Sequence, residues 1–452
     1  MVAFIIKSFK LLFYCTVSPL TQHLFSMNKF YLSALALLGL STSALAQETR
    51  FSLSSAPMGT PITRRACGSM DVLEAQLAAD PAQAQRMAAI EAHAQRVLSN
   101  PALQRAAAGT VVIPVVVHVL YNTAAQDISD AQVQSQIDVL NEDFRKLNAD
   151  VSNTPAQFAG LAADVNVQFV LAKRTPTGTA TNGIIHKFTK TASWGTNDAM
   201  KNSKRGGDNP WDATKYLNLW ACNLGQGLLG YAQFPGGSTA TDGVVMLYSA
   251  FGSRAKYAAG TYSTTYDLGR TATHEVGHWL NLRHIWGDAA CGNDQVSDTP
   301  TQQTSNYGCP TFPHVTCSNA GDMSMNYMDY TDDRCMYMFS TGQSTRMNAL
   351  FATGGARAGL LTSLGGTAPR TATTTLATAY PNPASDVLNV TLPAGTDAAR
   401  ATVHVFDLAG HEMQQVGYDG QGQVRVGNLP RGLYYLTIGT GANVTRQRFE
   451  KE

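Results

Sequence analysis

His274-Glu275-Val276-Gly277-His278-Trp279-Leu280-Asn281-Leu282-Arg283-His284-Ile285-Trp286-Gly287-Asp288 is the stretch that organises the reading of this 452-residue chain. On a helix, residues four apart lie on one face, so the imidazoles of His274 and His278 can reach one ion. Glu275 points to the same neighbourhood, where a carboxylate can take a proton from a water activated by that ion. His284 follows six residues after His278. A third ligand at that distance requires the helix to stop and the chain to turn back. Asn281 stands at the turn, and Asn is second only to Gly in tolerating a left-handed backbone. Three neutral imidazoles leave the fourth position of a tetrahedral zinc open, as hydrolysis needs. Two histidines at helical spacing could be surface residues. A third at this distance, with an acid between the first two, is hard to produce by accident.

Working outward, the helix bearing these residues is expected over 271–282. Upstream, 111–120 is a continuous apolar, β-branched run, as in a buried strand. Residues 129–147 form an amphipathic helix, with Ser129 as cap and Val133, Ile137, Leu140 and Phe144 at helical spacing. Further strands are expected at 165–171, 216–222 and 242–249. This order predicts an α/β (α+β) domain over 110–364, a twisted sheet backed by helices. Residues 288–335 are rich in Asp, Asn, Gly, Thr and Cys and can bury little apolar surface, so disulfides or bound ions must fix their shape. A helix at 342–361 closes the domain.

The ends read differently. Lys29, the apolar run 30–40 and Ala44-Leu45-Ala46 form a secretory signal peptide over 1–46, with Met27 as a second candidate start. Its apolar run is too short to span a bilayer well. Residues 47–109 lack strand signals and hold helical stretches at 70–79 and 82–98, which suits a pro-segment. Residues 365–375 read as a linker. Within 376–452, short strands at 386–392, 402–407, 423–426 and 433–438 predict a small all-β sandwich. Formal net charge is +1 and 14% of residues are charged, so nothing points to nucleic acid or an anionic membrane as partner.

Of seven cysteines, Cys15 leaves with the leader. Cys291, Cys309, Cys317 and Cys335 cluster closely enough to form two disulfides, with three pairings open. Cys222 lies in an apolar strand, as a buried free thiol would. Cys67 follows Arg64 and Arg65, cations that favour the thiolate form suited to zinc.

The stretch 274–288 and Asn326-Tyr327-Met328-Asp329-Tyr330 resemble the metzincin clan and, within it, the pappalysin family. Residues 216–235 (YLNLWACNLGQGLLGYAQFP) add to the likeness, which covers about 110–360. The resemblance implies a metzincin-like catalytic domain and a secreted zinc metalloendopeptidase. It places Zn2+ on His274, His278 and His284, a general base at Glu275, and Tyr330 as hydrogen-bond donor to the tetrahedral intermediate. Met328 becomes the floor beneath the ligands, in a Met-turn. The resemblance also implies Ca2+ near Asp294, Asp298 and Thr299, where turn capping is the plainer reading. It implies the pairing Cys291–Cys317 and Cys309–Cys335. Separately, a Cys67 thiolate in the open zinc position would exclude water, which resembles a cysteine-switch pro-segment, with a lone reduced cysteine as the plainer reading. Some pappalysins favour Arg or Lys after the scissile bond. Asp332 and Asp333 stand where such a pocket would lie, with Arg334 placed to offset them. Tyr380-Pro381-Asn382-Pro383-Ala384 and the strands beyond are similar to the sorting domain of type IX secretion in Bacteroidetes. That implies the type IX machinery as partner and an extracellular or surface-attached product acting on proteins or peptides. The rival reading is a surface adhesin that keeps the fold without catalysis, and the intact Glu275 and Tyr330 argue against it.

Overall fold

The computed structural model describes residues 62–100, 103, 109–369, 377–392, 397–440 and 443–452. The expected leader at 1–46 and residues 370–375 of the expected linker lie outside the described residues.

The region before the expected linker is built on a six-stranded sheet. Its strands are β1 (Val111–Tyr121), β2 (Val167–Leu171), β3 (Ile184–Phe188), β4 (Leu217–Cys222), β5 (Gly230–Ala232) and β6 (Val244–Leu247). The order is β2-β1-β4-β6-β5, with β3 also pairing β1. All pairings are parallel except that of β5 with β6. A parallel sheet covered on both faces needs apolar residues at successive positions, which is why β1 and β4 read as unbroken apolar runs. Val115, Val117, Val119, Leu219 and Ala221 join the main core. On the other face, Val116 packs with Ala172 and Tyr216, and buried His118 stacks on Trp220.

The helix Asp130–Phe144 starts at Ser129, whose side chain accepts from Gln132 N. It buries Val133, Ile137, Leu140 and Phe144 in the main core, beside the helix Arg270–Trp279. Sequence periodicity did not reveal β3 or β5. The expected helix at 342–361 is corrected. A helical segment Thr341–Asn348 opens with a Ser340/Gln343 capping box and gives way to short 3-10 turns. Gly354 takes a left-handed φ of 83°, which the helix cannot continue through.

Upstream, α1 (Ser69–Ala79) and α2 (Ala82–Leu98) lie on this domain. Glu91 of α2 grips Arg346 through two hydrogen bonds of 2.9 and 2.6 Å. Ala94 and Val97 pack on Ala349 and Ala352. The first residues of the expected linker are held rather than loose, since Lys173 N donates to Gly365 O at 2.8 Å.

The C-terminal region has two antiparallel sheets. One joins Thr378–Tyr380, Val387–Thr391, Gly417–Tyr418 and Gln423–Arg425, and the other Thr402–Phe406, Gly432–Thr440 and Asn443–Lys451. Leu388, Val405, Val424, Leu436, Ile438 and Phe449 share one core between them, as a sandwich requires.

Candidate active site and metal centre

The helix Arg270–Trp279 is buried along its whole length. It ends where Leu282 N donates to Gly277 O, and Asn281 takes the left-handed φ of 72° that the turn demands. The Nε of Arg346 donates to Asn281 O at 2.8 Å and holds this turn from outside. His284 is thereby returned to the face that carries His274 and His278. Gly277 is required by close approach, because a Cβ there would lie 2.5 Å from the sulfur of Met328. Met328 therefore lies directly against the helix that carries His274 and His278, fully buried.

Each imidazole has a fixed tautomer. His274 Nδ1 faces Tyr327 O at 2.7 Å, His278 Nδ1 faces Leu282 O at 2.8 Å, and His284 Nδ1 faces Asp288 Oδ1 at 2.5 Å. Carbonyls and carboxylates only accept, so each Nδ1 carries a hydrogen, and in the neutral ring Nε2 is the nitrogen left with a lone pair. These lone pairs converge. His278 Nε2 lies 3.2 Å from His274 Nε2 and 3.1 Å from His284 Nε2. Burial, then the neighbouring rings, hold His274 well below the ordinary imidazole range, and burial, then His284, lower His278 to about 3. Three imidazole lone pairs aimed at one point repel one another unless a cation stands among them, so the donor set fits a metal.

Cys67 Sγ is the fourth member of this cluster, whose ligand atoms all lie within 4.8 Å of one another. The reason given from sequence for its thiolate does not hold. Arg65 pairs with Asp333 and Arg64 lies over Tyr307, while burial and then Glu275 push the thiol well above its ordinary value. A bound cation is what would ionise it.

Glu275 is buried, and its Oε2 accepts from Ser69 Oγ at 2.9 Å and from Cys67 Sγ at 3.3 Å. Burial pushes its carboxyl up to about 7. The segment around Cys67 runs parallel to the edge strand β5. Leu229 N donates to Ala66 O, Gly68 N to Gly230 O, and Ala232 N to Ser69 Oγ. Tyr330 closes the opposite side, its ring 4.9 Å from that of His284 and its hydroxyl 3.5 Å from Cys67 O.

Arg65 enters a closed pocket. Its Nη2 lies 2.6 Å from Asp333 Oδ1, Nη1 donates to Thr271 Oγ1, Nε donates to Thr331 O, and the guanidinium lies over Tyr266. Arg334 does not offset Asp333. It is exposed, with its Nε on Cys309 Sγ and its nearest carboxylate Asp332 at 3.9 Å.

The structure pairs Cys291 with Cys317 and Cys309 with Cys335, and Cys222 is a buried free thiol. The three residues expected near calcium separate. Thr299 Oγ1 lies 3.0 and 2.8 Å from the two oxygens of buried Asp294. Asp298 instead takes Ser340 Oγ and Gly342 N, capping the next helix. Sequence reasoning passed over Ser69, Trp286 and Asp288, and gave Arg65 no role beyond its charge beside Cys67. Asp288 had a signal, an acid one helical turn past the third histidine. Trp286, stacked on His284 with centroids 4.4 Å apart, had none.

Residues 200–352 match the family model described as Pregnancy-associated plasma protein-A, a peptidase family. Residues 378–452 match a secretion system C-terminal sorting domain. An extracellular metalloprotease of Pyricularia oryzae is 32% identical over 334 residues, spanning 72% of this chain and 96% of the relative. The solved mature mirolysin of Tannerella forsythia, in complex with a cleaved peptide, is 52% identical, covering 56% of this chain and 96% of that one, with TM-score 0.54. A promirolysin mutant from the same organism is 48% identical, covering 66% of this chain and 97% of that one, with TM-score 0.60.

Proposed function

We propose, from the premise that this chain belongs to the pregnancy-associated plasma protein-A family of metalloproteases, that it is a secreted zinc-dependent endopeptidase made as a zymogen. The observation that carries the reading is the convergence of three imidazole lone pairs and one thiol beside a buried carboxylate. His274, His278 and His284 would hold zinc, which when bound supplies the charge that polarises the scissile carbonyl and acidifies a water. Glu275 takes the proton from the attacking water and passes it to the leaving amine. The hydroxyl of Tyr330 donates to the oxygen on which charge develops. The edge of β5 offers N–H and C=O groups to an extended substrate backbone.

The Asp333 pocket selects arginine. Three arms of the Arg65 guanidinium meet three acceptors there, a fork that a lysine ammonium cannot match. The C-terminal sandwich is the export address read by the type IX machinery, in keeping with its match to a sorting domain.

Calcium is the second cofactor proposed, held through Asp294 and Thr299. Burial pushes the Asp294 carboxyl up to about 6. Without a cation, its contribution to stability is present at low pH and lost as pH rises through about 6. A bound calcium opposes that loss.

Metal removal tests both ions. A chelator should abolish digestion of a protein substrate by the mature enzyme, and zinc alone should restore it. The chelator should also lower the thermal midpoint, with calcium alone restoring it, and this calcium effect should fade as pH falls from 7 to 5. Digestion that survives complete metal removal would sink the functional reading.

Residues 47–109 are the proposed pro-segment, with Cys67 as its switch. In Cys67→Ala the lag before activity should shorten roughly tenfold or more, the effect of losing about 1.4 kcal/mol or more of binding. Timed assays of purified zymogen read this directly, and an unchanged lag would remove Cys67 from latency.

A further inference from the structure

We propose that Tyr307 forms a second subsite for a basic side chain, so that the enzyme favours substrates carrying two consecutive basic residues. The inference rests on the Asp333 pocket proposed above and adds a residue to it. Arg64 and Arg65 are adjacent in the chain, yet they go to different places. Arg65 is buried on Asp333, whereas Arg64 is exposed and holds its guanidinium 5.4 Å from the centre of the Tyr307 ring. That is within reach of the electrostatic attraction between a cation and a tyrosine face.

Tyr307 is placed as a recognition residue rather than as packing. It is 41% exposed, so a side chain arriving from solvent can reach its ring. The same ring lies 5.9 Å from that of Tyr330, one aromatic step from the reacting centre. Its backbone is held on both sides. Asn306 N donates to Asp329 Oδ1 at 2.7 Å, Asp332 N donates to Gly308 O at 2.9 Å, and Cys309 is tied to Cys335. A ring fixed in advance loses little freedom when it binds a cation. Once the pro-segment departs, Arg64 and Arg65 vacate two adjoining sites together, and a substrate segment with paired basic residues can fill both.

The test uses mature enzyme and short peptides. Each carries one Arg to fill the Asp333 pocket, and either Arg or Ala as its neighbour, on one side or the other, and a reference peptide has Ala at both positions. Wild type should cleave one of the two paired-Arg peptides about two- to fivefold faster in kcat/KM than its Ala counterpart. Tyr307→Leu, which keeps bulk and loses the aromatic face, should bring that ratio close to one. Tyr307→Phe, which keeps the face, should retain it. A wild-type ratio of one on both sides, with single-Arg selectivity intact, overturns the Tyr307 subsite and leaves the pocket standing. A preference that survives Tyr307→Leu also overturns it. Loss of any preference for the first Arg in wild type would instead show that the pocket reading itself had failed.

Discussion

Glu275→Gln should leave a mature protein that binds zinc and peptide normally but cleaves on the order of 10³ slower, within the usual range for losing a general base. The amide keeps the shape of the carboxylate, and it can still meet Ser69 Oγ, which now contacts Oε2 at 2.9 Å. It cannot accept a proton from water. The fold and the latent form should therefore survive, because the three histidines take their orientation from Tyr327 O, Leu282 O and Asp288 rather than from Glu275. Peptide turnover and metal content measured on the same preparation separate the two effects. Near-normal turnover with zinc in place would mean that another group moves the proton. Low turnover with zinc lost would mean that the substitution had acted on the ligands.

Asp333→Asn should lower kcat/KM for peptides with Arg in the pocket by roughly 30-fold or more, since breaking a buried charge pair costs about 2–5 kcal/mol. Peptides with an apolar residue there should change little. Asparagine keeps an oxygen to accept from Leu268 N and Arg270 N, as Oδ2 now does at 2.9 and 3.3 Å, so the local backbone should hold. The same substitution deprives Arg65 of its partner, which lies 2.6 Å away and is buried with it. The zymogen should accordingly activate sooner. Unaltered Arg selectivity in the variant would move the pocket elsewhere.

How much of this was legible beforehand depends on sequence separation. The histidine cluster was readable because a helix places His274 and His278 together by its period alone, and because Asn281 marks the turn that recovers His284. The long buried strands were readable from their apolar runs. β5 was not, because three residues carry no period. The closing helix was drawn too long because its apolar spacing continues past Asn348, while Gly354 and its neighbours break the backbone. The Arg65 pocket joins residues 268 positions apart, and no local pattern announces such a pair. Cys67 was placed at the metal on an argument about neighbouring charge, yet those charges go elsewhere, and the edge of β5 is what carries the thiol there.

The three histidines differ in what holds their far nitrogens. Two rings lean on main-chain carbonyls, which every sequence adopting this fold possesses. The third leans on Asp288, a side chain that a single codon change can replace. Metal retention by the proposed centre therefore hangs, at one of its three rings, on a replaceable side chain, while the architecture does not.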